Sequence, residues 1–325
     1  QVDLAAANRL GVPVFNAPFS NTRSVAEMVI GEIIFLARQL GDRSREVHVG
    51  EWKKVANGSF EIRGKTLGII GYGHIGNQVG VLAESLGLRV VYFDVTPKLS
   101  IGNARATSSL NELLAISDFV TLHVPELPST KGMISTDQLG AMKKGAYLIN
   151  ASRGTVVDIP ALAASLKSGQ VGGAAIDVFP VEPASNNEKF KSELQGLPNV
   201  ILTPHIGGST EEAQAAIGVE VAQSFWKFVH EGTTTGSVNF PRIEVPFDPG
   251  AHRILNIHRN VPGVLRDINK IVSDLHANIR RQTLSTDNEI GYLVMDLDDD
   301  VSNAVKEQIE QLPTSIRTRI LTEAV

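Results

Sequence analysis

Residues 65–94 read KTLGIIGYGHIGNQVGVLAESLGLRVVYFD. A short apolar run, KTLGII, leads into a glycine-rich turn. The turn is followed by IGNQVGVLAESLGL, apolar at helical spacing, and by a second buried-strand pattern, RVVYFD. The turn carries Gly71, Gly73 and Gly76 in G-x-G-x-x-G spacing. Gly71 permits a tight exit from the strand, Gly73 leaves no side chain where a pyrophosphate must approach, and Gly76 lets the helix pack close. The helix N-terminus then offers unpaired N–H groups and a partial positive charge to phosphates. Asp94 closes the second strand 23 residues beyond Gly71. A carboxylate at that distance hydrogen-bonds a ribose 2′-hydroxyl and repels a 2′-phosphate, so the stretch predicts a site for NAD rather than NADP.

The alternation continues outward. LNELLAISD and STDQLGAMKKG read as helices, FVTLHV and AYLINAS as strands; DIPALAASLKSG, GAAIDVF and NVILTPH add a helix and two more strands. The expectation is an α/β fold, a Rossmann-type doubly wound parallel sheet with both faces covered. Upstream, SNTRSVAEMVIGEIIFLARQL reads as one long helix that Asn21 or Thr22 would cap. Its apolar positions run nearly all round, the pattern of a helix buried in a domain or subunit interface. Downstream, EGTTTGSVNFPRIEVPFDPGAH has the composition of a linker. Beyond it the order strand, helix, strand, strand, helix, strand predicts a small C-terminal βαββαβ (ferredoxin-like) domain. The expected divisions are 1–20, 21–207, 208–240 and 251–325.

With 325 residues and 42% hydrophobic composition, more than one core is expected. A net charge of −5 argues against a nucleic-acid or anionic-membrane partner. No cysteine is present, which excludes disulfides and thiolate chemistry and suits a reducing cytoplasm. No apolar run approaches the roughly 20 residues that span a bilayer, and no ligand spacing such as H-E-x-x-H predicts a metal.

Three further strand ends carry polar groups: Arg153 in INASRGTVVD, Asp177 and Glu182 in AIDVFPVEP, and His205 in LTPHIGG. Each has a structural reading of its own: Arg153 as a surface cation, Glu182 as a turn acid, Asp177 as a helix cap, His205 as a loop residue. In open parallel sheets, however, ligands sit outside the carboxyl ends of the strands. Histidine titrates near neutrality and can take a hydroxyl proton while hydride leaves the same carbon; a neighbouring carboxylate orients the ring. Arginine's planar fork grips a carboxylate at two points. A Ser-His-Asp alternative lacks the G-x-S-x-G elbow.

Taken together, NAPFSNTRSVAE, LGIIGYGHIG, LHVP, LINASRGTVVD, AAIDVFPVEP and LTPHIGGST resemble the D-isomer-specific 2-hydroxy acid dehydrogenase family over residues 1 to about 240. The resemblance implies His205 as acid/base, Glu182 as its partner and Arg153 as substrate binder, with Asn21 also on the substrate side. It implies NAD surrounded by Gly71, Gly73, His74, Ile75, Gly76 and Asp94, and further by His123, Pro125, Ala151, Asp177 and Gly207. GTVVDIPAL and FNAPFSNTRSVAE most resemble the branch acting on D-3-phosphoglycerate, the first step of serine biosynthesis. NIHRNVPGVL followed by HANI resembles an ACT domain, which implies feedback by L-serine through His258, Asn260 and Asn278 at a domain–domain interface. GEWKKVANGSFEIRG resembles the family's dimer crossover, in which Trp52 and Lys54 would reach a neighbour's cleft; a homodimer or tetramer is implied. In the family, much of the substrate domain precedes the cofactor domain, whereas here only QVDLAAANRLGVPVFNAPF stands there, so its first part is expected to be missing. The other readings weighed are a dehydrogenase for another D-2-hydroxy acid and a non-catalytic NAD-dependent scaffold or sensor.

Overall fold

The computed structural model describes residues 2–246, 248, 250–298 and 301–321. These divide into two compact units, one of residues 19–214 and one of residues 1–18 with 215–325.

In the first unit, β1 (Thr66–Ile70), β2 (Arg89–Phe93), β3 (Arg105–Ala106), β4 (Phe119–Leu122), β5 (Ala146–Asn150), β6 (Val171–Ile176) and β7 (Val200–Leu202) form one sheet in the order β3-β2-β1-β4-β5-β6-β7. Every pairing is parallel. The winding reverses between β1 and β4, which opens a crevice at the carboxyl ends of the strands.

The continuous apolar runs in β4 and β5 are buried along their whole length, as a sheet covered on both faces requires. Leu67, Ile69, Tyr147, Ile149 and Ala175 face one core. Ile70, Val120, Leu122, Leu148 and Ile176 face the other. Helices α2 (Thr22–Arg38) and α4 (His74–Ser85) close the first face. Helices α5 (Leu110–Ile116), α6 (Thr136–Ala141) and α7 (Ile159–Ser168) close the second through Leu113, Leu139 and Leu162. Each such leucine contributes roughly 1.5–3 kcal/mol by burial.

The helix expected through Leu40 breaks at Gln39, whose φ of 52° is left-handed; its N–H caps the carbonyls of Phe35 and Leu36. The chain resumes as α3 (Leu40–His48). Asn21 holds the N-cap position of α2, but its side chain makes no capping bond, and its carbonyl accepts only the ordinary first helical bond, from Val25 N–H; the Thr22 hydroxyl instead donates to the Phe19 carbonyl, so the expected side-chain cap is not formed.

The second unit begins with the short helix α1 (Leu4–Arg9) and contains most of α8 (Glu211–Glu231). Its sheet joins β8 (His252–Arg259), β9 (Ile279–Thr286), β10 (Ile290–Leu297) and β11 (Ser315–Leu321) in the order β11-β8-β10-β9, all antiparallel. Helices α9 (Val264–Asp274) and α10 (Ser302–Glu310) cover one face, where Ile268, Val305 and Ile309 meet Ile254, Leu293 and Met295. This is the βαββαβ arrangement expected from the pattern.

The opposite face corrects the linker reading. Phe240, Ile243 and Val245 pack there against Leu255, Ile257 and Tyr292. Thr234, fully buried, ties the segment to itself through bonds to Pro241 and Ile243. Gly, Thr and Pro signal irregular backbone, but the interleaved apolar side chains make this a packed strap.

Candidate active site

The glycine turn lies at the carboxyl end of β1. Gly71 has a φ of +91°, and a Cβ there would lie 2.4 Å from the carbonyl oxygen of His123. A Cβ on Gly76 would lie 2.3 Å from the carbonyl oxygen of Gly71, so this glycine seats α4 on the turn. At Gly73, the N-cap of α4, a Cβ would meet nothing within 4 Å. The three glycines thus serve turn, open approach and close helix packing. His74 begins α4 and its ring lies 4.4 Å from that of Phe19, while Ile75 packs on the core.

Asp94 follows β2. One carboxylate oxygen accepts the Tyr72 N–H at 2.9 Å, inside the turn; the other accepts the N–H and hydroxyl of Thr96. Burial alone would raise this carboxyl, but the bonds from Thr96 and Tyr72 and the charge of Lys98 hold it below its ordinary value. Asp94 therefore braces the turn as well as presenting charge beyond β2. Past β4, burial pushes the His123 imidazole down to about 3, so the ring is neutral; its Nε2 meets Thr121 Oγ1 at 3.0 Å. Pro125 is exposed beyond it, and Ala151 is buried at the end of β5.

Asn150, fully buried at the end of β5, folds the next loop around its side chain. Its Nδ2 donates to the Arg153 carbonyl at 3.0 Å, and its Oδ1 accepts from Ser152 N–H and Oγ. Gly154 brings this loop onto the chain after β6, since a Cβ there would lie 2.0 Å from the Phe179 backbone. Arg153 consequently shares a cavity of about 260 Å³ with Glu126, Phe179, Glu182 and His205. Its Nη1 is held by the Ser152 carbonyl at 2.7 Å.

His205 Nδ1 lies 2.9 Å from Glu182 Oε2. Glu182 Oε1 accepts the Phe179 N–H at 3.0 Å. Burial would raise the Glu182 carboxyl, yet the bonds from His205 and Phe179, with the charges of His205 and Arg153, hold it low and ionised. The histidine side chain is 52% exposed, open to a substrate. Its φ of 56° is left-handed, uncommon for a residue with a Cβ and the kind of strain that functional sites store.

The loop is pinned by Asp177, which is 1% exposed. Its carbonyl accepts the His205 N–H at 2.8 Å; its carboxylate accepts the N–H groups of Ile206 and Gly207, each at 2.8 Å, and the Thr203 hydroxyl at 2.6 Å. No helix follows Asp177, so the helix-cap reading is replaced by that of a loop anchor. Gly207 leaves room for Asp177 and Met28, and Gly208 for the Asn21 side chain. The space that the two glycines vacate is thus taken by protein side chains, and Asn21 is drawn to the histidine loop.

The three effector candidates do not meet within one chain. β8 and β9 both run antiparallel to β10, so Asn260, after β8, and Asn278, before β9, lie at opposite ends of the sheet. Eight strand residues separate those ends, roughly 25 Å. His258 is buried, with Nδ1 on Asn256 Oδ1 at 3.0 Å. Asn260 donates to the Asp287 carbonyl, and Asn278 to Asp298.

A doubly wound sheet with a braced glycine turn and a histidine–carboxylate pair beside an arginine defines a dinucleotide-dependent oxidoreductase. Residues 30–207 match the family described as D-isomer specific 2-hydroxyacid dehydrogenase, NAD binding domain, and residues 254–317 match the AHAS small subunit-like ACT domain. The D-3-phosphoglycerate dehydrogenase of Dictyostelium discoideum is 55% identical, over 99% of this chain and 78% of that protein. The enzyme of the same name from Escherichia coli K12 is 53% identical over the same shares. Among solved structures, an NAD-dependent formate dehydrogenase from Staphylococcus aureus in complex with NAD superimposes with a TM-score of 0.63, at 33% identity over 70% of this chain and 68% of that one. The chain belongs to the D-isomer specific 2-hydroxyacid dehydrogenase family, with an NAD-binding domain followed by an ACT domain. Among the described residues no helix is long and apolar enough to cross a membrane.

Proposed function

We propose that the protein oxidises D-3-phosphoglycerate to 3-phosphohydroxypyruvate with NAD, in the cytoplasm, as the first step of serine biosynthesis. The observation that carries the chemistry is the His205–Glu182 pair at 2.9 Å, sharing a cavity with Arg153. The 53–55% identity to D-3-phosphoglycerate dehydrogenases supports the substrate.

The open space at Gly73, the α4 N-terminus and the carboxylate of Asp94 fit the pyrophosphate and ribose of a dinucleotide. NAD, when bound, accepts the hydride. With Nδ1 directed at an ionised carboxylate, His205 carries its proton there and offers Nε2 to the substrate hydroxyl. It takes that proton as the carbon–hydrogen bond breaks, and Glu182 stabilises the resulting imidazolium. Arg153, with Nη1 already tied to Ser152, has its remaining N–H groups for the substrate carboxylate.

L-serine is the proposed effector of the ACT domain. Since His258 and Asn260 lie far from Asn278 in one chain, a site using all three needs two copies side by side. Trp52, 82% exposed in a segment with exposed Val49 and Val55, independently supports self-association through the NAD-binding unit.

His205→Ala should reduce hydride transfer, followed as NADH absorbance with D-3-phosphoglycerate, by about 10²–10⁴-fold while leaving NAD affinity within a few fold. Turnover within tenfold of the parent removes His205 from the chemical step; faster turnover of D-glycerate or D-lactate removes the phosphorylated substrate.

A further inference from the structure

Glu32 sits in the middle of α2, 6% exposed, and neither carboxylate oxygen has a hydrogen-bond partner. Such a group is costly to bury charged, so it stays protonated: burial, then the charge of Asp177, pushes it up to about 8.

Its placement follows from two periodicities. Along β6, Ala175 faces the α2-side core while Ala174 and Ile176 face the other, so Asp177 points toward α2. Along α2, Val25 and Met28 approach Gly207, and Glu32 is one turn beyond Met28 on that face. Glu32 is therefore a neutral acid behind the anchor that holds residues 205–207.

The other elements packed on α2 bring no competing charge to this point. β5 turns Tyr147, Ile149 and Ala151 toward it; β7 turns Ile201 and then Thr203, which is bonded to Asp177. α4 contributes Ile75, Val79 and Ala83 to this core. The charges of α3, Asp42 and Arg45 or Arg43 and Glu46, pair with one another beyond the Gln39 break. His205 and Glu182 lie past Asp177, bonded to each other.

A hydride acceptor must lie beside the carbon whose hydroxyl His205 deprotonates, hence near the loop that Asp177 anchors. In its oxidised form the nicotinamide ring is positively charged, and in its reduced form it is neutral. We propose that Glu32 is a proton-exchanging positioning residue, which gives up its proton to solvent when oxidised cofactor is bound and keeps it when reduced cofactor is bound. This rests on the dehydrogenase reading above. The balance is simple: the positive ring that arrives is offset by release of whatever share of the proton Glu32 still holds at that pH. Glu32 thereby favours the oxidised cofactor increasingly as pH rises, by severalfold to roughly tenfold, the scale of a single charge pair at an effective dielectric near 20.

The test is calorimetric titration of the intact protein with NAD⁺ and with NADH at pH 8, in buffers of different ionisation enthalpy. With Glu32 titrating at about 8, roughly half a proton should leave per NAD⁺ bound, and less per NADH. Glu32→Gln keeps His205 in place, so the proton release lost in that variant belongs to Glu32. The preference for NAD⁺ over NADH should rise between pH 7 and 9 in the parent and stay flatter in Glu32→Gln. Infrared difference spectra of the parent provide a readout that needs no variant: the carbonyl stretch of a protonated carboxylic acid should fade on adding NAD⁺. Equal proton release from parent and variant, or an unchanged carbonyl band, overturns the proposal. Failure of the parent to bind NAD⁺ at all would overturn the dehydrogenase reading itself, and the same titration reports it.

Discussion

The buried pair Arg253–Asp296 permits a worked test of how the C-terminal unit holds together. The two residues stand opposite each other in the β8–β10 register, and their side chains are 0% and 1% exposed. Arg253 Nε and Nη2 donate to the two oxygens of Asp296 at 2.6 and 2.8 Å. Its remaining N–H groups go to the carbonyls of Glu231, Val245 and Pro246, which fasten the end of α8 and the packed strap to the sheet. Arg253→Met would strand a buried carboxylate, costing about 3–5 kcal/mol. The carbonyls of Glu231 and Val245 would also lose a donor, at about 1 kcal/mol each, while that of Pro246 keeps Arg281 Nη1 at 3.1 Å. The sum, about 5–7 kcal/mol, is comparable to the whole stability of a typical domain. Arg281, whose Nη1 lies 3.9 Å from Asp296, is 43% exposed and recovers only a little of this. Adding Asp296→Leu to Arg253→Met removes the stranded charge, so the double variant should regain about 3–5 kcal/mol and still fall short of the parent by the carbonyl term. Urea unfolding followed by circular dichroism, with amide exchange read on β8 and β10, measures both steps. A single variant costing under about 1 kcal/mol, or a double variant no more stable than the single, would refute the reasoning.

Two further outcomes follow from the cofactor side. Asp94→Ala removes the brace on Tyr72 and Thr96 together with the ribose carboxylate, so NADH affinity by fluorescence titration should fall about tenfold or more and discrimination against NADPH should shrink; unchanged discrimination would refute the ribose assignment. Gly154→Ala drives a Cβ into the Phe179 backbone, so it should lower turnover by displacing Arg153 while leaving NADH affinity nearly intact; full activity would show that the loop has room to move.

Much of the frame was legible because it rests on short-range patterns. Strand-length apolar runs, the three glycines and the acid after β2 act through local geometry, and each element appeared in its expected place. The lone break in α2 was not legible: Gln39 adopts a left-handed cap that side-chain type does not dictate, and its side chain meets Gly58, a partner nineteen residues away. The strap over the C-terminal sheet is not legible for a related reason. Its Gly, Thr and Pro residues spoke for irregular backbone, while the burial of Phe240, Ile243 and Val245 depends on a surface built from β8 and β10. The effector residues show the same limit from the other side. Resemblance grouped His258, Asn260 and Asn278, but strand direction puts the two asparagines at opposite ends of one sheet.

The residues of the proposed active site divide along this line. His205, Glu182 and Arg153 are legible as candidates because their chemistry is exposed at strand ends, where the topology gathers ligands. Asn150 and Asp177 do as much to build the site, yet what they bond is the backbone of loops that sequence spacing does not locate. Asp177 is the point where fold and chemistry meet. Its carbonyl and carboxylate fix residues 205–207 in a strained turn, and its charge adds to the burial that raises the acid behind it. Strain at His205 and an unpartnered Glu32 both cost stability; Asp177 holds the first through its hydrogen bonds, while the packing of α2 keeps the second buried. A site assembled in that way requires its anchor to be buried and rigid, which is why an aspartate in an apolar strand, AAIDVF, marks the proposed catalytic loop more directly than any residue on the loop itself.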